Sequence, residues 1–209
     1  MKLLIATPSP FARKVRVALH EKSLPFEEVV DTPWNPDSAA PDHNPLGKIP
    51  VLLTDDGQSL YDSSVILEYL DTLEAEPKLI PAEPQARIRA RQIEALADGI
   101  CDAVVLIVLE QSRKEGLRSR DWMTRQRRKV EHGVAALAGF LDSNTWFVGA
   151  GMSVADVAAG ACLGYLDLRL PDFEWRGPYP QLAAFSERME ARESFKLCRP
   201  SAQTIAPVG

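Results

Sequence analysis

Two different spacings of apolar residues divide this chain. Up to residue 76, short apolar runs alternate with helix-spaced positions. Leu3-Leu4-Ile5-Ala6 predicts a strand over residues 2–7. Phe11, Val15, Ala18 and Leu19 then recur at helical spacing and predict a helix over residues 10–22. A second strand is predicted over residues 27–30, and the stretch carrying Pro33, Pro36, Pro41 and Pro45 shows no period. Residues 51–54 and 58–61 flank Asp55-Asp56-Gly57, a hairpin signal. Val65, Ile66, Tyr69, Leu70 and Leu73 predict a helix over residues 63–74. The order β-α-β, then β-β-α, implies a small mixed sheet with helices packed on it.

The pattern changes where Pro77, Pro81 and Pro84 cluster, so residues 77–84 are taken as a linker between a domain of residues 1–76 and one of residues 85–209. Beyond the linker the spacing is helical. Helices are predicted over residues 85–111, 121–142, 153–168 and 180–192, the third being rich in Ala and Gly and the most buried. The fold class is therefore α/β followed by all-α, with a helical bundle docked on the small first domain.

Composition narrows the function. The 209 residues are 45% hydrophobic and 25% charged, ordinary for a globular protein. A net charge of −5 offers nothing to attract nucleic acid. The longest apolar run, residues 103–109, is far short of the ~18 a membrane span needs. The strand pattern begins at residue 2, so no signal peptide is visible. Cys101, Cys162 and Cys198 are odd in number and widely spaced, which suggests reduced thiols and a cytoplasmic location. With His20, His43 and His132 as the only histidines, no metal site is expected.

Four motifs carry candidate chemistry. In Thr7-Pro8-Ser9-Pro10-Phe11-Ala12-Arg13-Lys14-Val15-Arg16, Ser9 sits where strand gives way to helix, with Pro10 at the first helical position. Ser9 can be a plain cap, the commoner use of such a serine. It can also donate to an anion held at the positive end of the helix, such as a thiolate. No Gly-x-Ser-x-Gly elbow or placed His supports a nucleophilic role. In Asn44-Pro45-Leu46-Gly47-Lys48-Ile49-Pro50-Val51, Pro50 stands at a strand start. Spacing alone makes no case for a cis bond there, since about 95% of X-Pro bonds are trans. Lys48 is either a ligand for a carboxylate or a solvated turn lysine. In Leu60-Tyr61-Asp62-Ser63-Ser64-Val65-Ile66, Asp62 and Ser63 either cap the next helix or bind an amine and a carboxylate. Ser153-Val154-Ala155-Asp156 reads as a capping box that nucleates a helix and does no chemistry.

Together, in this order, the four motifs resemble the cytosolic glutathione transferase superfamily, and the resemblance covers essentially the whole chain. Within it the chain resembles a bacterial branch with a serine at the activating position. The resemblance implies a thioredoxin-like N-terminal domain, an all-helical C-terminal domain, glutathione as co-substrate and a homodimer. Ser9 matches the residue that hydrogen-bonds the glutathione sulfur. Ile49 matches the residue whose backbone pairs with the cysteinyl part, and Pro50 matches the family's cis-proline. Asp62 and Ser63 match the pair that holds the γ-glutamyl amine and carboxylate, and Lys48 lies near the glycyl carboxylate. Asp102, with Asp98 as its rival, resembles an acid that reaches the γ-glutamyl amine across the dimer interface. The electrophile site is expected between the domains, walled by Pro8 and Phe11 and by Val105, Val108 and Leu109. For at least two of these last three, a place in the bundle core is the alternative.

The implied activity is conjugation of glutathione to small hydrophobic electrophiles. A glutathione-dependent isomerase, lyase or peroxidase on the same residues is one alternative, and a non-catalytic binding or regulatory protein is another. The first tyrosine after the activating position is Tyr61, which excludes the tyrosine-activated classes. Ser9 stands where related reductases have cysteine, and a serine cannot form a mixed disulfide. Pro8 and Pro10 flank Ser9, so the double serine of the maleylacetoacetate isomerase-like class is missing.

Overall fold

The computed structural model describes residues 1–73 and 76–203. These divide into two compact units, one formed by Met1–Ile80 with the segment from Arg192 onward and the other by Pro81–Ala191.

The first unit is built on a four-stranded sheet of β1 (Lys2–Ile5), β2 (Glu27–Val30), β3 (Val51–Leu53) and β4 (Ser59–Leu60), in the order β2-β1-β3-β4. β1 pairs parallel to β2 and antiparallel to β3, and β3 pairs antiparallel to β4. β1 is paired on both edges, and Leu3, Leu4 and Ile5 are buried, which is why it reads as an unbroken apolar run. β2 is an edge strand, and its exposed Glu27 and Glu28 discourage further pairing. Helices α1 (Pro10–Glu21) and α3 (Ser63–Thr72) pack against each other. This is the expected thioredoxin-like arrangement. A four-residue helix, α2 (Ala40–His43), interrupts the proline-rich stretch that the spacing left irregular.

The second unit holds α4 (Pro84–Ser112), α5 (Arg120–Leu141), α6 (Val154–Arg169) and α7 (Pro180–Glu190), with a 3-10 turn at Glu115–Leu117. α4 packs on both α5 and α6. α6 is buried on nearly every side, so its Ala and Gly content allows close neighbours. Gly133 of α5 marks the tightest approach: a Cβ there would lie 2.4 Å from Cγ1 of Ile100 on α4.

The division differs from the expected one at both ends. The first unit runs past residue 76 to Ile80 because Lys22 and Asp71 hold the chain that follows. The Lys22 ammonium donates to the Pro77 carbonyl at 2.8 Å and pairs with Asp71 at 2.9 Å. Asp71 also accepts from the backbone of Leu79 and Ile80, whose side chains are buried. At the other end, the expected helix over residues 180–192 stops at Glu190, and a further helix, α8 (Glu193–Leu197), packs on α1. Arg13 explains this return. It is only 1% exposed, stacks on the Phe195 ring at 5.0 Å and donates to the Phe195 carbonyl at 3.2 Å. Arg192 grips Glu21 through two hydrogen bonds of 2.8 Å, and Ser194 donates to the same carboxylate.

This clasp makes the docking of α8 pH-dependent. Burial pulls the Glu21 carboxyl up, but the hydrogen bonds from Arg192 and Ser194 outweigh it and hold the group below its ordinary range. The folded chain therefore binds the proton less readily than the unfolded one. The stabilisation is fully present above the ordinary value of 4.5 and is lost as pH falls through the lower folded value. Glu21→Gln should lower unfolding free energy at neutral pH, with the gap to wild type closing as pH falls below 4.5 in urea titrations. A gap that stays constant over that range would show that the carboxylate's charge contributes nothing.

Candidate functional site

Strand direction gathers three of the four motifs. Leu4 of β1 pairs with Val51, so the end of β1 lies beside the start of β3. Leu60 pairs with Leu52, so the end of β4 reaches the same edge. The loops after β1, before β3 and after β4 thus leave from one end of the sheet. They carry Ser9, Ile49-Pro50 and Asp62-Ser63 respectively.

Ser9 is the N-cap of α1. Its Oγ accepts from the Ala12 N–H at 3.1 Å, and Pro10 opens the helix as expected. The N–H of Ser9 donates back to the Ala6 carbonyl at 3.0 Å, tying the cap to the strand end. Because Oγ accepts from the helix, its own hydrogen is the group left to donate outward. Pro8 is buried beside it and Phe11 is half-buried.

The second motif is a clamped turn. Asn44 is 3% exposed, and its side chain spans the loop, donating to the Lys48 carbonyl at 2.9 Å and accepting from the Leu46 N–H at 3.0 Å. Gly47 has a φ of +58°, a conformation that suits glycine. The turn delivers a cis Ile49-Pro50 bond, as the family resemblance implied. Ile49 lies beyond the last ladder pair of β1 and β3, so the sheet between these strands ends before it. Lys48 is exposed.

The third motif is the N-terminus of α3. Asp62 is its cap, with Oδ1 accepting from the Ser64 N–H at 3.0 Å, and it remains exposed. Ser63 is 2% exposed at the first helical position. The Tyr61-Asp62 bond is also cis, which nothing in the residue types announces. Two helix N-termini and a lysine supply the positive character at this end of the sheet, and Asp62 supplies one negative group. Such an end suits a ligand with two carboxylates and an ammonium.

The remaining predicted site residues lie on α4, in the other unit. Asp102 is exposed. Val105 and Val108 are half-buried and Leu109 is 37% exposed, so none belongs to the bundle core. The core stripe of α4 is instead Ile93, Ala97, Ile100, Val104 and Ile107, which corrects the alternative reading of those three residues. The fourth motif is structural, as expected. The Asp156 carboxylate accepts from the Ser153 N–H and O–H, each at 2.8 Å, and from the Phe147 N–H at 2.9 Å. Asn44 is the contributor that residue-by-residue reading underrated, its signal being the Asn-Pro-x-Gly turn. The three cysteines are buried, and burial pushes the Cys198 thiol up to about 11, away from nucleophilic use.

Comparison with known proteins gives the same reading. The family described as glutathione S-transferase, N-terminal domain, matches residues 8–73, and its C-terminal counterpart matches residues 120–188. The GST-like protein YibF of Escherichia coli (strain K12) is 38% identical over 200 residues, covering 96% of this chain and 98% of its own. The chain belongs to the glutathione S-transferase family. A solved glutathione S-transferase from Methylobacterium radiotolerans, in complex with glutathione sulfonate, matches this transferase-family chain with a TM-score of 0.96 at 49% identity. That match covers 100% of this chain and 98% of the other. A maleylacetoacetate isomerase from Pseudomonas aeruginosa is 29% identical over 222 residues, covering 99% of each. Among the described residues, no helix of this family member is long and apolar enough to cross a membrane.

Proposed function

We propose that this chain is a glutathione-dependent enzyme that conjugates the glutathione thiolate to small electrophiles, with Ser9 as the sulfur's hydrogen-bond donor. The observation that carries this reading is the Ser9 hydroxyl, whose oxygen is engaged by the Ala12 N–H and whose hydrogen is left to donate at a helix N-terminus. Glutathione lies along the end of the sheet. Its γ-glutamyl group sits on Asp62 and Ser63, its cysteinyl backbone on Ile49 before cis-Pro50, and its glycyl carboxylate near Lys48. Helix dipole and hydroxyl then favour thiolate over thiol before the electrophile arrives. The electrophile is held against Pro8 and Phe11. In a homodimer, Asp102 of one protomer reaches the ammonium in its partner's site. The glutathione sulfonate complex of the Methylobacterium radiotolerans relative supports a ligand of this class.

A glutathione-dependent isomerase on the same residues is the second reading, favoured by the full-length similarity to the Pseudomonas aeruginosa isomerase. The prolines on both sides of Ser9 count against it.

Calorimetric titration with glutathione tests the shared core of both readings. Wild type should bind saturably in the micromolar to low-millimolar range. Asp62→Asn keeps a good helix cap while removing the charge, so it should weaken binding about tenfold without unfolding α3. Absence of binding at millimolar glutathione would instead leave a fold used for interaction alone.

A further inference from the structure

The helical unit holds a pocket of about 370 Å³ lined by parts of α4, α5 and the end of α6. That volume suits a small organic ligand. Its apolar floor comes from Ile107, Met123 and Leu170, and its polar wall carries Arg127, Arg128 and Arg169 beside Glu131 and Asp172. Arg127 engages both acids, at 3.7 Å to Glu131 and 3.4 Å to Asp172, and stacks on Phe173 at 4.8 Å. Neither Arg128 nor Arg169 has an ion pair to a carboxylate among the described residues. Arg169 Nε is buried, and among the described residues it has no hydrogen-bond partner. The Arg169 guanidinium also faces the Tyr165 ring at 5.9 Å, so Nε is closed off and the part of the group that lines the pocket is what a planar carboxylate can meet.

We propose that this pocket binds a small organic carboxylate, with the acid group between Arg128 and Arg169 and the apolar body on Ile107, Met123 and Leu170. The site is separate from the one proposed for glutathione and its electrophile. Ile107 and Gln111 lie one turn apart on a stripe of α4 different from that of Val105, Val108 and Leu109. No residue of the first unit lines the pocket. The apolar floor argues for an organic acid over inorganic phosphate.

Benzoate and its neutral counterpart benzamide are suitable probes, followed by protein NMR shifts on the full chain. Benzoate should shift resonances of α5 and α6 saturably, and benzamide should not. Arg128→Gln and Arg169→Gln should each weaken benzoate binding by about tenfold or more. Thr124→Trp, a change at the pocket wall, should abolish it by filling the space. Glutathione titrations of the same variants should be unchanged, which separates this site from the one at the sheet end. Arg128 and Thr124 are exposed on α5, so these two variants carry the test if Arg169→Gln fails to fold. No saturable shift with benzoate, equal binding of benzamide, or unchanged affinity in Arg128→Gln and Thr124→Trp would each overturn the proposal.

Discussion

Ser9→Ala is expected to cut kcat/KM for conjugation of glutathione to an aryl halide by about a hundredfold, the scale of losing one oxyanion-type donor. The glutathione Kd should change little, because the proposed site meets the tripeptide's charges at Asp62, Ser63 and Lys48. The effect belongs to the ionised sulfur, so the pH profile of the variant should move to higher pH as the bound thiol regains its ordinary acidity. The variant also loses the hydrogen bond to the Ala12 N–H, a cap worth about 1 kcal/mol, which leaves the fold intact. That separation makes the experiment informative: a small fall in melting temperature with a large fall in rate places the hydroxyl in the chemistry. Equal rates for the two proteins would reduce Ser9 to a helix cap.

The largest effect on stability is expected from Asp156→Ala. The Asp156 carboxylate is 0% exposed and takes hydrogen bonds from Ser153 twice and from the Phe147 backbone. Burial pushes its pKa above the ordinary aspartate range even though these donors pull the other way. Removing it strands three buried donors and unfastens the start of α6, for a loss of about 3–5 kcal/mol in urea unfolding. A loss below about 1 kcal/mol would show that water replaces the carboxylate without penalty.

Much of this was legible in the sequence because each long element carries its own period. α4 and α5 run for many turns with apolar stripes, and α6 is marked by its Ala-rich run and its capping box, without reference to anything distant. Ser-Pro, Gly-Lys-Ile-Pro and Asp-Ser are signals of local backbone geometry, while the glutathione roles proposed for them came from the family resemblance of the motifs taken together. What escaped lacked a local signal. α2 and α8 have four and five residues, too few to show a period. The burial of Arg13 depends on Phe195, 182 residues away, and an arginine in a helix otherwise reads as solvated. The cis bond before Asp62 has no proline to announce it. Apolar identity also misled at Val105, Val108 and Leu109, where only the packing of α4 shows which stripe faces inward.

The return of residues 192–203 to the sheet has a consequence for synthesis. Residues 81–191 form a contiguous unit, complete once its own last helix has emerged from the ribosome. The sheet is translated first but must wait, because Glu21 meets Arg192 only 171 residues later. At about 5–20 residues per second, that interval is on the order of 10–35 s. During it the bundle is still being made, and the nascent chain carries the α8-binding face of α1 bare and open to chaperones. Thr7, two residues before Ser9, makes its bond to the Ser201 carbonyl only after 194 further positions, so the second unit is complete before the first.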